Sequence, residues 1–206
     1  MTLIAFEPNG HRYTVMLPTG QVVTPPSVTQ ILHSIYPRRE HPEVLARSAQ
    51  LGRDVHRGVE LLLADKLEPS SVDDYVAPYL EALKVFLFSC DFRVTHCEPE
   101  DLAVFSLRYG YAGMLDLRGT MRGTLGRRKP WQLDIKTGVE SPLHALQTAG
   151  YEGAWSEMTG EPWAQRGALY LRPTGKFMLR PHTSTSDHPR FMAALTCSRF
   201  KLEHDL

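Results

Sequence analysis

Residues 131–138, WQLDIKTG, place two charged side chains in a segment that otherwise reads as a β-strand. Side chains alternate along a strand, so Trp131, Leu133 and Ile135 face one way while Gln132, Asp134 and Lys136 face the other. Asp134 and Lys136 therefore project side by side. Two arrangements accommodate them. The strand can lie at an exposed edge with a surface ion pair worth about 0–1 kcal/mol. Alternatively it is buried, with its charges mutually paired or bound to a ligand such as a metal ion, because an unpaired charge is expensive to bury. The choice between the two depends on the rest of the chain.

The nearest segment of the same period is YAGMLDLRG, residues 111–119. It reads as one strand with Leu115 and Leu117 on one face and Met114 and Asp116 on the other. The connection TMRGTLGRRKP, 120–130, is short, so the two strands should be neighbours joined by a hairpin-like turn. Asp116 then comes near Asp134. Converging carboxylates repel unless a cation lies between them, and an oxygen-rich site of this kind suits Mg2+ or Mn2+. The backbone carbonyl of Ile135, whose side chain points away, offers one more oxygen. Metal-bound water is acidified, and Lys136 beside it can orient that water or stabilise developing negative charge. The combination suits hydrolysis of a phosphodiester.

Around this pair, HRYTVML and QVVTP flank the turn signal PTG and predict an N-terminal hairpin. In PPSVTQILHSIYP, Ser27 and Gln30 fit a capping box opening a helix over about 28–36 that stops before Pro37. A longer helix is predicted from Pro42 to about Lys66, with Val55, Val59, Leu62 and Leu63 as its buried stripe. Gly52, His56 and Glu60 share a neighbouring face, and a glycine there points to something packed close. A third helix is predicted from a Ser71 cap, with its first turns bent or interrupted by Pro78. FRVTHCEP and LAVFSL read as strands and RYGY as a turn. A helix over SPLHALQTAGYEGAWSEMTG ends near Gly160. QRGALYLRP and KFMLRP then form a strand pair, and HPRFMAALTCSRFKLE a terminal helix.

A chain of 206 residues, 42% hydrophobic and 22% charged, suits a single globular domain over 1–206 with a proper core. Its 23 basic and 23 acidic residues cancel, so no global positive field announces a nucleic-acid partner. Local clusters do exist: Arg38 with Arg39, and RGTLGRRK at 122–129, which connects the two acidic strands and is placed for a phosphate-backbone contact. No apolar run is long enough to span a bilayer, so no membrane partner is expected. The opening MTLIAFEPNG has neither a secretory nor a transit pattern, so a cytoplasmic location is expected. Cys90, Cys97 and Cys197 contain no C-x-x-C, which argues against a disulfide framework or a zinc ribbon and leaves buried, inert thiols. His96 with Cys97 lacks a second pair at ligand spacing.

GMLD at 113–116, DIK at 134–136, and Gln147 with Tyr151 in QTAGY together resemble the PD-(D/E)XK nuclease superfamily, and within it the RecB-like branch. That branch carries a histidine on an upstream helix, which GRDVHRGVE matches at His56. SVTQIL is similar to the opening of the mitochondrial genome maintenance exonuclease and related phage exonucleases. D-x-K alone is common, whereas the ordered set of histidine helix, G-x-x-D strand, D-x-K strand and Q-x-x-x-Y helix is specific. The resemblance implies an α/β fold with a restriction-endonuclease-like core, a mixed central sheet flanked by helices. To this core it adds an N-terminal hairpin (1–26) and a helical elaboration (27–90), ahead of a catalytic core (91–182) and a C-terminal helix (183–206).

By the same resemblance, Asp116 and Asp134 are metal ligands, His56 is a further ligand or near neighbour, and Lys136 is the catalytic lysine. Gln147 and Tyr151, four apart on one helix face, contact the reacting phosphate or the DNA strand, unless Tyr151 packs in the core. Read alone, His56 is equally a hydrogen-bonded histidine at a helix border, and Glu60 and Glu98 are ordinary solvated glutamates that could assist a metal. Relatives in this branch that hold an iron–sulfur cluster use four cysteines; this chain lacks the fourth, so none is expected. The expected activity is that of a Mg2+- or Mn2+-dependent exonuclease on single-stranded DNA or DNA ends, serving recombination, repair or replication in a bacterial or phage-infected cell. A recombination or replication protein is a candidate partner. Tyr36, Tyr111 and Trp155 are candidates to stack on bases and are equally candidates for the core. Two alternatives stand beside this reading: a noncatalytic nucleic-acid-binding or assembly module on the same fold, and a structure- or site-specific endonuclease.

Overall fold

The computed structural model describes residues 3–7, 12–37, 41–123 and 126–205; Arg38 and Arg39 lie outside them. The chain runs through β1 (Leu3–Glu7), β2 (Arg12–Met16), β3 (Val22–Val23), α1 (Val28–Ile35), α2 (Pro42–Leu63), α3 (Ala77–Ser89), β4 (Arg93–His96) and α4 (Pro99–Leu102). It continues through β5 (Ala103–Ser106), β6 (Tyr111–Met114), β7 (Leu117–Arg122), β8 (Arg128–Lys136), α5 (Leu143–Thr159), β9 (Gln165–Leu171), β10 (Phe177–His182) and α6 (Asp187–Glu203).

Strand β8, which carries Asp134 and Lys136, is the middle strand of a five-stranded sheet ordered β10-β9-β8-β7-β4. It pairs antiparallel with β7 and parallel with β9, and the outer pairs are antiparallel, so the sheet is mixed. Helix α5 makes the crossover that a parallel β8–β9 pair requires. Both faces of the sheet are covered. Leu117, Leu133, Ile135, Leu169 and Leu171 pack on one face against Val55 and Val59 of α2 and Leu80, Leu83 and Phe86 of α3. On the other side Leu146, Tyr151 and Trp155 of α5 join Val28 and Ile31 of α1 and Phe191 and Leu195 of α6. The edge-strand reading of 131–138 therefore fails: Asp134 is 1% exposed.

Several local signals act as read. Ser27 and Gln30 form the reciprocal capping box, and Gly160, at φ 73°, closes α5 in the left-handed conformation that glycine adopts without strain. The hairpin β2–β3 turns at Gly20, and β1 adds a third strand to it. Two expectations are corrected. Ser71 belongs to a separate short turn, Pro69–Ser71, and α3 starts later with Pro78 in its first turn. There the missing N–H is harmless, because the first-turn donors have no partner within the helix. Cys197 is exposed rather than buried, and all three cysteines are free. Among the described residues no helix is long and apolar enough to cross a membrane.

The most consequential correction concerns 111–119, which is not one strand. Residues 111–114 form β6 and pair with β5 in a separate two-stranded sheet, whereas β7 begins at Leu117 and joins the large sheet. The chain bends at Asp116 as it passes from one sheet to the other.

Candidate functional site

The split between β6 and β7 leaves one stretch of β8 without a strand beside it. The β7–β8 ladder begins at Leu117 opposite Leu133, so on that side the main chain beyond Leu133 has no partner strand. Buried backbone groups need partners, and here side chains supply them. The N–H of Ile135 donates to Asp116 Oδ2 at 2.7 Å, and its carbonyl oxygen lies 3.2 Å from His56 Nε2. The other ring nitrogen, His56 Nδ1, lies 3.3 Å from Asp116 Oδ1. Asp116 comes from the bend and His56 from α2, so two elements distant in sequence meet on one peptide unit.

The opposite face of β8 supplies the rest. Lys136 Nζ stands 2.8 Å from Asp134 Oδ2, in a geometry that leaves this buried oxygen without an aligned hydrogen bond. Lys136 also donates to Gln147 Oε1 at 3.1 Å, and Gln147 Nε2 donates to the Tyr151 hydroxyl at 2.8 Å. This chain of contacts explains Gly113: a Cβ there would stand 2.5 Å from Tyr151 Cε1, so only glycine admits the ring. The glycine and the aspartate of G-x-x-D thus serve one centre in different ways. Tyr151 packs in the core, as one of its two readings held, and its hydroxyl accepts from Gln147.

Four titratable groups within this small volume perturb one another. Burial, reinforced by the Asp116 charge, pushes the Asp134 carboxyl up to about 6 even though Lys136 opposes it. Burial also acts to raise Asp116, but His56, Lys136 and the Ile135 N–H outweigh it and hold that carboxyl below its ordinary value. Burial disfavours the charged forms of His56 and Lys136, yet the carboxylates raise both. An imidazole facing two acceptors through both nitrogens satisfies them only when doubly protonated, in agreement with that direction. Burial and then Asp134 raise Tyr151 well above the ordinary phenol value, so its hydroxyl stays neutral.

The structure thus brings Asp116, Asp134, Ile135, Lys136, Gln147, Tyr151 and His56 together. It leaves out others that the sequence singled out. Glu60 accepts from Arg57 and Glu98 faces Lys66, both in surface ion pairs. Tyr111 and Trp155 are 0% and 5% exposed, the first bonded to the Gly150 carbonyl and the second to Glu161, so neither can stack on a base. Tyr36 is exposed. At Gly52 a Cβ would meet only Thr137 Oγ1, at 4.0 Å, an ordinary contact. No motif or spacing singles out Tyr13 on β2, whose hydroxyl is raised first by burial and then by Asp116. Nor does any point to Tyr170, opposite Lys136 on β9 with its hydroxyl 2.7 Å from His144 Nδ1. Alternation along 165–171, set beside β8, is the one signal that could have placed Tyr170 on this face.

Among the described residues, no group of three or more His, Cys, Asp or Glu side chains is arranged to hold a metal ion. No family model and no curated protein matches the chain. Among solved structures it is similar to "Crystal structure of SSO0001", at 16% identity and a TM-score of 0.36, over 84% of this chain and 83% of that one.

Proposed function

We propose that this chain is a divalent-metal-dependent deoxyribonuclease with a PD-(D/E)XK core, an exonuclease of single-stranded DNA or DNA ends in recombination, repair or replication. The observation behind the reading is that Asp116 and His56 meet on the Ile135 peptide unit, which the parting of β6 from β7 leaves without a strand partner, beside the Asp134–Lys136 pair that flanks Ile135 in β8. The donors suit a hard cation: two carboxylates and a main-chain carbonyl, with an imidazole nitrogen at hand. Asp134 Oδ2, buried without an aligned hydrogen bond, has the most to gain. Asp116, Asp134 and the Ile135 carbonyl would hold Mg2+ or Mn2+, joined by His56 once its ring gives up a proton. Such an ion, when bound, acidifies a water for attack on the phosphodiester and offsets charge on the phosphate.

The chain's own residues supply the remainder. Lys136 stays charged because two carboxylates face it, and Gln147 aims its ammonium toward the space where charge builds on a phosphate oxygen. Tyr151 fixes the orientation of Gln147, since its hydroxyl accepts from the amide nitrogen and so turns the amide oxygen to Lys136. The exonuclease mode rests on the family resemblance alone, because the same chemistry serves an endonuclease.

One observation favours a noncatalytic nucleic-acid-binding module on this fold. The two carboxylates are already balanced by the Lys136 ammonium and the His56 imidazolium, so neutrality requires no further cation. End-labelled single-stranded DNA incubated with Mg2+, Mn2+ or EDTA decides between the two. Progressive shortening with either metal and none in EDTA is the expected result. Intact substrate under all three conditions would leave only the binding module, and scission of circular DNA would replace the exonuclease mode by an endonuclease.

A further inference from the structure

The residues around the β7–β8 hairpin tip are far more basic than the chain as a whole. Arg93, Arg122 and Arg128 surround the single carboxylate of Asp91, with Arg127 and Lys129 flanking Arg128 in the chain, in a protein whose 23 basic and 23 acidic residues cancel. Strand register places Arg122 opposite Arg128 and Arg93 opposite Thr120 on one face, while Lys129, opposite Met121, projects from the other face of the same hairpin end. Asp91 organises the cluster, with Oδ2 at 2.6 Å from Arg128 and 2.9 Å from Arg122, and Oδ1 at 3.6 Å from Arg93. The guanidinium of Arg128 is engaged through all three of its nitrogens, since it also bonds the Asp91 carbonyl and both oxygens of Thr120. It therefore acts as a strut. Arg122 is held only through Nε, which leaves its two terminal nitrogens facing outward. Arg127 and Lys129 are exposed and form no ion pair among the described residues.

Three residues before Asp91 the chain carries an exposed aromatic residue. Phe88, in the last turn of α3, is 91% exposed, and its carbonyl accepts from the N–H of Asp91 at 3.2 Å. That backbone bond brings an exposed aromatic residue and the Asp91 cluster to one end of the molecule, and a single nucleic-acid strand offers base faces alongside phosphates. Arg122 and Arg128 also share a sheet face with Asp134, by the parity of β7 and β8. At about 3.3 Å per residue, Arg128 and Asp134 stand on the order of 20 Å apart along β8.

We infer that the hairpin tip and the end of α3 form a second nucleic-acid contact, with Arg93, Arg122, Arg127 and Lys129 on phosphates and Phe88 against a base, apart from the Ile135 centre. The choice of a nucleic acid as ligand rests on the proposed nuclease reading, whereas the contact itself requires no cleavage. A strand engaging both places must span about six nucleotides at about 3.4 Å each.

The test is binding of fluorescent oligothymidylate to the whole protein in EDTA, where no metal-dependent cleavage occurs. Strands of about 20 and about 4 nucleotides are compared, the longer being able to cover both places at about 3.4 Å per nucleotide. The triple variant Arg122→Gln, Arg127→Gln, Lys129→Gln spares the strut Arg128. It should weaken the longer strand by about tenfold or more and flatten the log–log salt slope by about 2, at about 0.7 for each phosphate no longer neutralised. Phe88→Ala should weaken it by about fivefold or more. The shorter strand should bind parent and variants alike. Equal affinity and slope for parent and triple variant would overturn the inference. So would phosphatidylserine vesicles bound as tightly as the longer strand and released by the same variant, a result that identifies a membrane surface. Cleavage with metal by a parent whose triple variant binds normally would refute this contact alone, and tip-dependent binding by a protein that never cleaves would refute the nuclease alone.

Discussion

Arg118 and Asp134 sit on adjacent central strands, on the same face of the sheet and under the same helix, yet their surroundings differ. Arg118 donates to Glu152 Oε2 at 2.8 Å and to Glu161 Oε2 at 3.1 Å, and its guanidinium lies 4.2 Å from the Trp155 ring centroid. Glu152 Oε1 accepts in addition from the N–H of Ala164 at 2.7 Å. Across the sheet Arg166 is likewise engaged, by Asp187, Thr148 and the Ala145 carbonyl. Asp134, equally buried, has one cation beside it and an oxygen without an aligned bond. Gln132 marks the border, in register with both arginines and two residues from Asp134, with both amide atoms unbonded. Buried charge saturated on all sides holds a fold together, whereas buried charge short of donors marks the place where a ligand has something to add.

The largest expected effect comes from converting the second kind of charge into a neutral group. Asp134→Asn should lower DNA cleavage by about ten-thousandfold or more, because a ligand charge is removed with little change of shape. The same change should stabilise the metal-free protein. Folding raises the Asp134 carboxyl from 3.8 to about 6, so the folded state prefers its neutral form and the parent loses stability as pH rises through about 6. Denaturant unfolding in EDTA should therefore show the asparagine variant more stable at pH ~8 and level with the parent near pH ~4. A variant less stable than its parent at the higher pH would remove the contrast on which the site assignment rests.

The reverse pattern is expected at the saturated network. Arg118→Met leaves Glu152 buried without its cation and should cost about 3–5 kcal/mol of stability, read from the same unfolding curves. Cleavage per folded molecule should remain at the parental rate. Adding Glu152→Leu should recover much of the loss, because a hydrophobic pair replaces an ion pair there at little net cost. A rate that fell in step with stability would show that the two regions form one functional unit.

The features that could be read from sequence are the local ones. The pairing of Ser27 with Gln30 needs three residues, and the side-by-side placement of Asp134 and Lys136 needs only alternation. What escaped depends on which strands become neighbours. Alternation through 111–119 is unbroken, so nothing in it shows that Met114 and Leu117 end in different sheets. That split is what exposes Ile135 to Asp116 and His56. Arg118 and Glu152 drew no reading from sequence, because each acquires its partner only when α5 lies across the sheet. Trp155 reads as a base-stacking candidate for the same reason, its indole being committed to Glu161 and covered by Arg118. Gly113 was visible as part of a motif, but its reason was not, since the ring it admits arrives from a helix formed later in the chain.

That glycine offers the smallest and most discriminating change. In Gly113→Ala the new methyl meets Tyr151 Cε1 and Cδ1 at 2.5 and 2.6 Å, so the ring must move. Overpacking of this kind should cost about 1–3 kcal/mol. Moving the ring also moves the hydroxyl that orients Gln147, and through it Lys136, so kcat should fall by about tenfold with KM little changed, as expected when an interaction made only in the transition state is removed. Tyr151→Phe keeps the ring in place and removes only the hydroxyl, at about 1 kcal/mol. If the Tyr151–Gln147–Lys136 chain positions the ammonium, both variants lower kcat although only the first disturbs packing. If phenylalanine leaves kcat untouched while alanine at 113 lowers it, Tyr151 belongs with Arg118 among the groups that build the fold, and the boundary between the two regions moves one residue closer to Lys136.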